Sequence, residues 1–267
     1  MEEHKIGSTY VREWKSSRSK ANVVIIHGVG EHSGRYLHVG EYLLERGMNV
    51  FSGDLVGHGL SDGTRVHVDS AGDYLKDVDF FLNRIDNELP TFILGHSMGG
   101  FVTLYFGVKV YDPRVRGLIL SSPYLKEKLE LPAWKLTLGR SVSKIVPRLV
   151  LKSGITGEMC CRDKEVYEKY NSDELNYPGA TAKWFVELEK ARKYIIDNAA
   201  AFKYPCLIMQ AGADVVVDGE ANRDFFNRLM VEDKEFEWYD GFYHEILNDP
   251  EKEKPLSRLA EWIEKRI

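Results

Sequence analysis

The fold is decided by the stretch Thr91-Phe92-Ile93-Leu94-Gly95-His96-Ser97-Met98-Gly99-Gly100, which joins a short apolar run to the apolar segment that begins at Phe101. A buried strand, a serine flanked by glycines and an apolar helix in this order fit the G-x-S-x-G elbow. Gly95 and Gly99 carry no Cβ, so they let the strand and the helix approach closely. The turn would hold the Ser97 hydroxyl at the positive end of the helix. The motif predicts that Ser97 is a nucleophile; the alternative is a glycine-rich turn with an inert serine.

The composition indicates a globular protein of one large domain or two small ones. The chain has 267 residues, 43% hydrophobic residues and a formal net charge of −5, so it is long enough to bury a sizeable core. This charge argues against nucleic acid as a partner of the whole chain. The acidic start, residues 1–5, lacks the apolar stretch of a signal peptide, and no apolar run approaches the ~20 residues that span a bilayer. We therefore expect a cytoplasmic protein.

The three cysteines indicate free thiols. Cys160 and Cys161 are adjacent in the sequence, and Cys206 is the third. Neither a disulfide framework nor Cys-x-x-Cys metal spacing fits this arrangement. The cysteines therefore agree with a cytosolic protein without a structural metal.

Strands and helices alternate along most of the chain. The run Val23–Ile26 is β-branched without polar alternation, as expected of a strand that is covered on both faces. The patterns predict a hairpin over 4–14, strands at 23–26, 49–52, 91–94, 115–121, 206–210 and 235–239, and helices at 36–46, 73–88, 220–230 and 250–266. This order predicts an α/β fold, a mostly parallel sheet with helices on both faces. Ligand sites in such sheets lie beyond the C-terminal strand ends, where His27, Asp54, Ser97 and Ser121 fall.

The alternation breaks between residues 124 and 192. This segment contains helical pieces and prolines 132, 147 and 178, and no convincing strand. Because the strands before and after it belong to one sheet, we interpret it as an insertion rather than a separate domain. The predicted organisation is an α/β core of residues 1–123 and 193–267, with a helical cap of residues 124–192 over the strand ends.

A serine nucleophile needs a base, and the base needs an acid that orients it. In the order typical of the elbow, acid and base follow the serine. His244 is the one histidine of eight that lies beyond the elbow, and its alternative is a surface-loop histidine. Asp214 directly follows a predicted strand and is the candidate acid. Its rival Asp218 precedes a helix and fits an N-cap, and Asp240 is too close to His244 in sequence.

An oxyanion intermediate needs two backbone N–H donors. One should come from Met98, the residue after the nucleophile, and the other from the loop after the strand 23–26, where Val29 is the candidate. Because both donors belong to the main chain, substitutions of these two side chains should be milder than Ser97→Ala.

Other motifs fail on their spacing. Residues 28–34 resemble a dinucleotide fingerprint, but the third glycine comes one residue late. His244-Glu245-Ile246-Leu247-Asn248 lacks the second histidine of a zinc motif, and no phosphate loop of the Walker type occurs. The sequence therefore implies no metal, nucleotide or other cofactor.

With these residues placed, the chain resembles the α/β-hydrolase superfamily, and within it the monoacylglycerol lipase and lysophospholipase-like group. The resemblance runs nearly end to end, and its most specific pieces are residues 27–36, 57–63, the elbow and 244–248. It implies that Glu31, Arg35 and His96 line a pocket for the glycerol head group. The alternative for each of them is to brace the oxyanion loop by hydrogen bonds.

The predicted cap carries a basic pattern. Residues 128–152 include six basic residues and one acid, Glu130. Four of the basic residues recur every four positions with apolar residues between them: Arg140, Lys144, Arg148 and Lys152. Such an amphipathic surface fits contact with a membrane or lipid aggregate. The alternative, held equally, is a helix whose apolar face covers the active site and whose charges face water, and Pro147 interrupts the pattern in both cases.

The sequence as a whole predicts a serine hydrolase of lipid carboxylic esters, with monoacylglycerols as substrates. Alternatives with the same three residues are a broad carboxylesterase, a lysophospholipase, a thioesterase or a peptidase. From a different class, the fold also serves as a ligand receptor with slow turnover.

Overall fold

The chain folds around one eight-stranded sheet. A computed structural model of the protein describes residues 1–86, 88–128 and 143–267. The strands are β1 (Glu2–Ile6), β2 (Thr9–Trp14), β3 (Ala21–Ile26), β4 (Met48–Gly53), β5 (Thr91–His96), β6 (Val115–Ser121), β7 (Val150–Lys152), β8 (Gly179–Thr181), β9 (Cys206–Ala211) and β10 (Lys234–Tyr239). The large sheet has the order β1-β2-β4-β3-β5-β6-β9-β10. Its strands are parallel from β4 to β10, and β2 runs antiparallel to both β1 and β4.

Helices cover both faces of this sheet. They are α1 (Leu37–Glu45), α2 (Gly72–Leu82), α3 (Met98–Lys109), α4 (Gly157–Cys160), α5 (Lys164–Ser172), α6 (Ala182–Asp197), α7 (Gly219–Arg228) and α8 (Glu253–Glu264). Side chains from α1 and α8 pack on one face, and side chains from α2, α3, α6 and α7 pack on the other. The predicted α/β class, a mostly parallel sheet between two layers of helices, is confirmed.

The burial of β3 explains why its sequence has no polar alternation. Val24 and Ile26 point into the core beneath α2 and α3, and Val23 and Ile25 point into the core beneath α1 and α8. All six residues of β3 are buried. Alternate side chains of a strand leave opposite faces, so a strand covered on both faces must be apolar throughout.

The predicted elements agree with the structure except at some ends. The hairpin is confirmed, since β1 and β2 pair with Ile6 opposite Thr9. The helix predicted over 73–88 instead ends at Leu82, with Asn83 as its C-cap. Ile85 prolongs the helical spacing in the sequence because it packs against the core from the turn that follows.

The insertion contains two short strands, although its sequence shows no convincing strand. β7 and β8 pair antiparallel as a separate two-stranded sheet, with Val150 opposite Thr181. Each has three residues, too short for a period of two to be recognised. Helix α6 runs through the predicted boundary at residue 192, and its side chains Trp184, Leu188 and Ile195 belong to the core. The division into core and cap stays a prediction, and Arg140 of the basic pattern lies outside the described residues.

The close approach of α3 to β3 gives a prediction about stability. A Cβ on Gly99 would lie 2.0 Å from the carbonyl oxygen of Ile26. We expect Gly99→Ala to lower the free energy of unfolding by about 1–3 kcal/mol, as overpacking does in other cores. Urea denaturation measures this change.

Gly72→Ala is the matched control, because this glycine also lies in the first turn of a helix. Its added Cβ would meet only the Ser70 hydroxyl, at 3.4 Å. Equal urea midpoints for the two variants would contradict the prediction.

Candidate active site

Ser97 occupies a strained turn between β5 and α3. Its φ of +52° lies in the left-handed region, which is unfavourable for a residue with a side chain. The turn is held by the main chain: Ser97 N–H donates to the carbonyl of Ser121 at 2.9 Å, and the Ser97 carbonyl accepts from Phe101 N–H at 3.0 Å. Ser97 is therefore held at the N-terminus of α3, at the C-terminal edge of the sheet, as the elbow motif predicts.

His244 and Asp214 form a buried pair. His244 Nδ1 lies 2.7 Å from Asp214 Oδ2. A carboxylate only accepts hydrogen bonds, so Nδ1 carries the proton and Nε2 is left with its lone pair. The other oxygen of Asp214 accepts from the N–H groups of Val216 and Val217, at 2.8 and 2.9 Å. The two backbone N–H groups fix the orientation of the carboxylate, and the carboxylate in turn fixes the orientation of the imidazole.

Contact between the two side chains shifts the pKa of each. Burial alone would raise the pKa of Asp214, but the charge and hydrogen bond of His244, with the two backbone N–H groups, lower it below its usual range. Burial alone would lower the pKa of His244, but the charge and hydrogen bond of Asp214 raise it. The pair therefore favours a carboxylate next to an imidazole that gains a proton readily.

The rival acids have other places. Asp218 caps α7 by accepting from the N–H groups of Glu220 and Ala221, as its sequence position predicts. It also pairs with Lys126 at 2.9 Å. Asp240 is exposed. Neither has a hydrogen bond to His244 among the contacts of the described residues.

The loop after β3 lies against Ser97. A Cβ on Gly28 would sit 3.4 Å from the Cβ of Ser97. His27 Nδ1 lies 2.8 Å from the Gly28 carbonyl, and His27 Nε2 accepts from Leu55 N–H at 2.9 Å. A hydrogen bond from Nδ1 thus fixes the Gly28–Val29 peptide. Since C=O and N–H of a trans peptide point in opposite directions, the N–H of Val29 is fixed with it.

Met98 is the other predicted donor. It is the first residue of α3, and the first N–H groups of a helix have no acceptor within that helix. Met98 follows Ser97 directly, and Val29 follows Gly28, which lies against Ser97. The pair of oxyanion donors stays a prediction.

The three residues predicted for a head-group pocket are engaged with the protein. Glu31 accepts from Tyr36 OH at 2.7 Å and from Arg35 at 2.9 Å, and its other contact is the N–H of Gly28. His96 Nδ1 lies 3.1 Å from both the carbonyl and the hydroxyl of Ser121. These contacts favour the bracing alternative for Glu31 and Arg35.

The charges of these groups follow from their neighbours. Burial would raise the pKa of Glu31, but Arg35 and nearby histidines lower it to about 2. Burial, and then the nearby His244, lower the pKa of His96 to about 4. Glu31 is thus an anion and His96 is neutral near pH 7, with the ring of His96 4.9 Å from that of His244.

Glu245 is a residue that the sequence reasoning missed. Its carboxylate accepts two hydrogen bonds from Arg35, at 2.6 and 2.8 Å. Its N–H donates to the carbonyl of Cys160 at 2.8 Å. The sequence signals it only through its place in the stretch 244–248 that carries the family resemblance, and its partner Arg35 lies 210 residues away.

The described part of the chain meets neither the requirements of a metal cluster nor those of a membrane-spanning helix. No group of three His, Cys, Asp or Glu side chains in residues 1–86, 88–128 and 143–267 could hold a metal ion. Over the same residues, no helix has the length and apolarity to cross a bilayer. Cys160, Cys161 and Cys206 are free and buried.

The chain is similar to known lipid hydrolases. A phospholipase of Bacillus subtilis is 35% identical over 242 residues, which cover 90% of this chain and 93% of the relative. A monoacylglycerol lipase of Mycolicibacterium smegmatis is 28% identical, over 90% of this chain and 87% of the relative. The crystal structure of a monoacylglycerol lipase from Paleococcus ferrophilus superimposes with a TM-score of 0.89 and 28% identity, covering 97% of this chain and 99% of that one.

The sequence pattern of the family described as serine aminopeptidase, S33, matches residues 17–251. This match covers most of the chain, including the elbow and the loops that carry Asp214 and His244. The chain therefore belongs to the S33 family of α/β-hydrolases.

Proposed function

We propose that this lipid ester hydrolase is a monoacylglycerol lipase that acts through an acyl-enzyme on Ser97. The observation that carries the proposal is the buried His244–Asp214 pair, 2.7 Å long, at the same sheet edge as the strained Ser97. Monoacylglycerol lipases among its relatives support the substrate class. The proposal goes beyond the lipid ester class in naming a fatty acyl chain and a glycerol head group.

The geometry supports a two-step acyl transfer. His244 Nε2 takes the proton of Ser97 as its oxygen attacks the ester carbonyl, and the N–H groups of Val29 and Met98 stabilise the oxyanion. His244 then returns the proton to the leaving glycerol oxygen. A water molecule, deprotonated by His244, then attacks the acyl-enzyme in the same way and releases the fatty acid. Throughout, Asp214 keeps the imidazole in the tautomer that carries its proton on Nδ1.

A phospholipid substrate is the second candidate. It is favoured by the phospholipase of Bacillus subtilis, which is 35% identical to this chain. A lysophospholipid has the same acyl ester with a charged head group in place of a free hydroxyl. The family description, serine aminopeptidase, favours a peptidase with the same triad. No contact in the described site favours a broad esterase, a thioesterase or a receptor with slow turnover.

We further propose that the cap contacts the lipid phase. Residues 144–152 expose apolar side chains, with Ile145 81%, Val146 49% and Leu149 44% exposed. Lys144, Arg148 and Lys152 are exposed among them. Apolar side chains between cations fit the interface of an anionic lipid surface. We call residues 144–152 the basic cap surface.

Substrate class and nucleophile are tested together. We expect Ser97→Ala to lower kcat by about 10⁶-fold on monoacylglycerols, as loss of a serine nucleophile does elsewhere. The measurement is fatty-acid release from a series of monoacylglycerols, lysophospholipids, thioesters and amino-acid amides of matched chain length. A serine-reactive phosphonate should label Ser97 in the wild type.

A phosphonate adduct on another residue would contradict the nucleophile. A wild-type preference for lysophospholipids over monoacylglycerols would leave the triad in place and replace the substrate. Slow turnover of every ester by the wild type would support the receptor alternative, whereas turnover that survives Ser97→Ala unchanged would contradict the nucleophile.

The pH dependence follows from the raised pKa of His244. The base must be neutral, so kcat/KM should fall as pH drops through a pKa at or above the ordinary value of about 6.5. Asp214→Asn removes the anion that raises this pKa. We expect it to shift the acidic limb to lower pH and to lower kcat by about 10⁴-fold.

The control is Asp240→Asn, which removes an exposed carboxylate four positions from His244. Its pH profile should match that of the wild type. A wild-type rate that stays flat down to pH 4 would refute His244 as the base.

The basic cap surface is tested with vesicles. Changing Lys144, Arg148 and Lys152 to Gln should weaken binding to anionic phospholipid vesicles by about 100-fold, at about 1 kcal/mol per cation. Cosedimentation measures the bound fraction. The control changes exposed cations at the opposite sheet edge, Lys20, Arg228 and Lys265, and should bind like the wild type. Equal losses in both triple variants would contradict a specific surface.

A further inference from the structure

The Arg35–Glu245 ion pair joins two loops of the site. Arg35 Nη1 and Nη2 donate to the two carboxylate oxygens of Glu245, at 2.6 and 2.8 Å. Their side chains are only 9% and 4% exposed. Arg35 follows the oxyanion loop, and Glu245 is the neighbour of His244. Such a two-pronged pair fixes both distance and orientation.

The same guanidinium reaches the oxyanion loop through Glu31. Arg35 Nη1 also donates to Glu31 Oε2 at 2.9 Å, and Glu31 Oε1 accepts from the N–H of Gly28. The guanidinium lies over the ring of Tyr170, 4.6 Å from its centroid. A continuous chain of charge-assisted hydrogen bonds therefore runs from the main chain beside Val29 to the residue after His244.

This series of hydrogen bonds occupies most of the donor groups of Arg35, so few remain for a substrate. Its Nη1 and Nη2 both donate to carboxylates, and one face of the guanidinium is covered by Tyr170. A glycerol hydroxyl would have to displace one of these contacts. The two carboxylates around one cation also give a net charge of −1, which favours the protonated form of His244.

We propose that Arg35 and Glu245 are positioning residues that hold the oxyanion loop and the His244 loop at one fixed separation. The proposal rests on the proposed function, because it needs both loops to act on one ester. Its consequence is a loss of transition-state stabilisation, whatever alcohol leaves. A head-group role would instead affect glycerol esters alone.

Glu245→Gln is the main test variant. It leaves Arg35 matched with Glu31, whereas removal of Arg35 would leave two buried carboxylates without a partner. We expect kcat to fall about 10- to 100-fold and KM to change less than about threefold, since a misplacement of ~1 Å costs about this much. The loss should be equal on a monoacylglycerol and on the p-nitrophenyl ester of the same fatty acid.

The pH profile separates positioning from a general loss of structure. The charged groups and imidazoles around His244 are Asp214, His96, Glu31, Glu245 and Arg35. The Cys160 thiol and the phenols of Tyr36 and Tyr170 also face this cluster, and burial raises the pKa of each above its usual value. Glu245→Gln removes one anion from this set, so the acidic limb of kcat/KM should move to lower pH. Arg35→Lys keeps the charge but cannot form the fork. Arg35→Lys should lower kcat about 10-fold and leave the acidic limb of the kcat/KM profile at the same pH.

Arg258→Lys is the matched control, because Arg258 also bridges two carboxylates, Glu235 and Glu237, away from Ser97. It should keep wild-type kinetics. All variants are compared at a temperature at which circular dichroism shows them folded.

Three results would overturn the proposal. They are wild-type kinetics in Glu245→Gln, a loss confined to the KM of the glycerol ester, and a loss of kcat with no movement of the acidic limb in that variant. A wild-type chain that cleaves the p-nitrophenyl ester but not the monoacylglycerol refutes the proposed substrate and leaves the positioning test intact. A wild type inert to both esters overturns both proposals.

Discussion

The structure depends on the close approach of α3 to β3. No side chain fits at Gly99, because its Cβ would lie 2.0 Å from the Ile26 carbonyl. With the helix this close, the residue before it must turn sharply, and Ser97 takes a φ of +52°. Main-chain hydrogen bonds hold that strained residue, including one from Tyr124 N–H to the Ser97 carbonyl at 3.0 Å. The oxyanion loop continues directly from β3, so the same approach brings it against Ser97.

The loops at this edge are irregular, and the insertion supplies part of what holds them. Each shares a main-chain hydrogen bond with it, as acceptor in two cases and as donor in one. These bonds are Tyr177 N–H to Gly30 O at 2.7 Å, Glu245 N–H to Cys160 O at 2.8 Å, and Lys128 N–H to Val216 O at 3.0 Å. The described part of the insertion therefore helps to fix the backbone of these loops. A connection of this kind fixes the backbone whichever side chains line the site.

Local patterns in the sequence were enough for the sheet, the elbow and the order of Ser97, Asp214 and His244. Each depends on a few neighbouring residues, such as the β-branched run of β3. The remainder depends on partners far apart in the chain. Glu245, one of the two acceptors of Arg35, lies 210 residues away, and His32 contacts Asp173 across 141 residues at 3.0 Å. No periodicity records such pairs. The sequence did not predict the strands β7 and β8 or the end of α2, for a different reason. Helical and strand spacing cannot be told apart over so few positions.

The buried ions near His244 serve to fix the relative position of two loops rather than to stabilise the fold. Taking Arg35, Glu31 and Glu245 out of water costs several kcal/mol for each ion, and their attraction recovers this only with good geometry. Apolar side chains of the same volume would stabilise a core as well or better. They would not fix direction, because dispersion contacts are insensitive to orientation. A guanidinium held by two carboxylates sets both distance and angle. Two loops that must meet at one carbonyl carbon require that constraint.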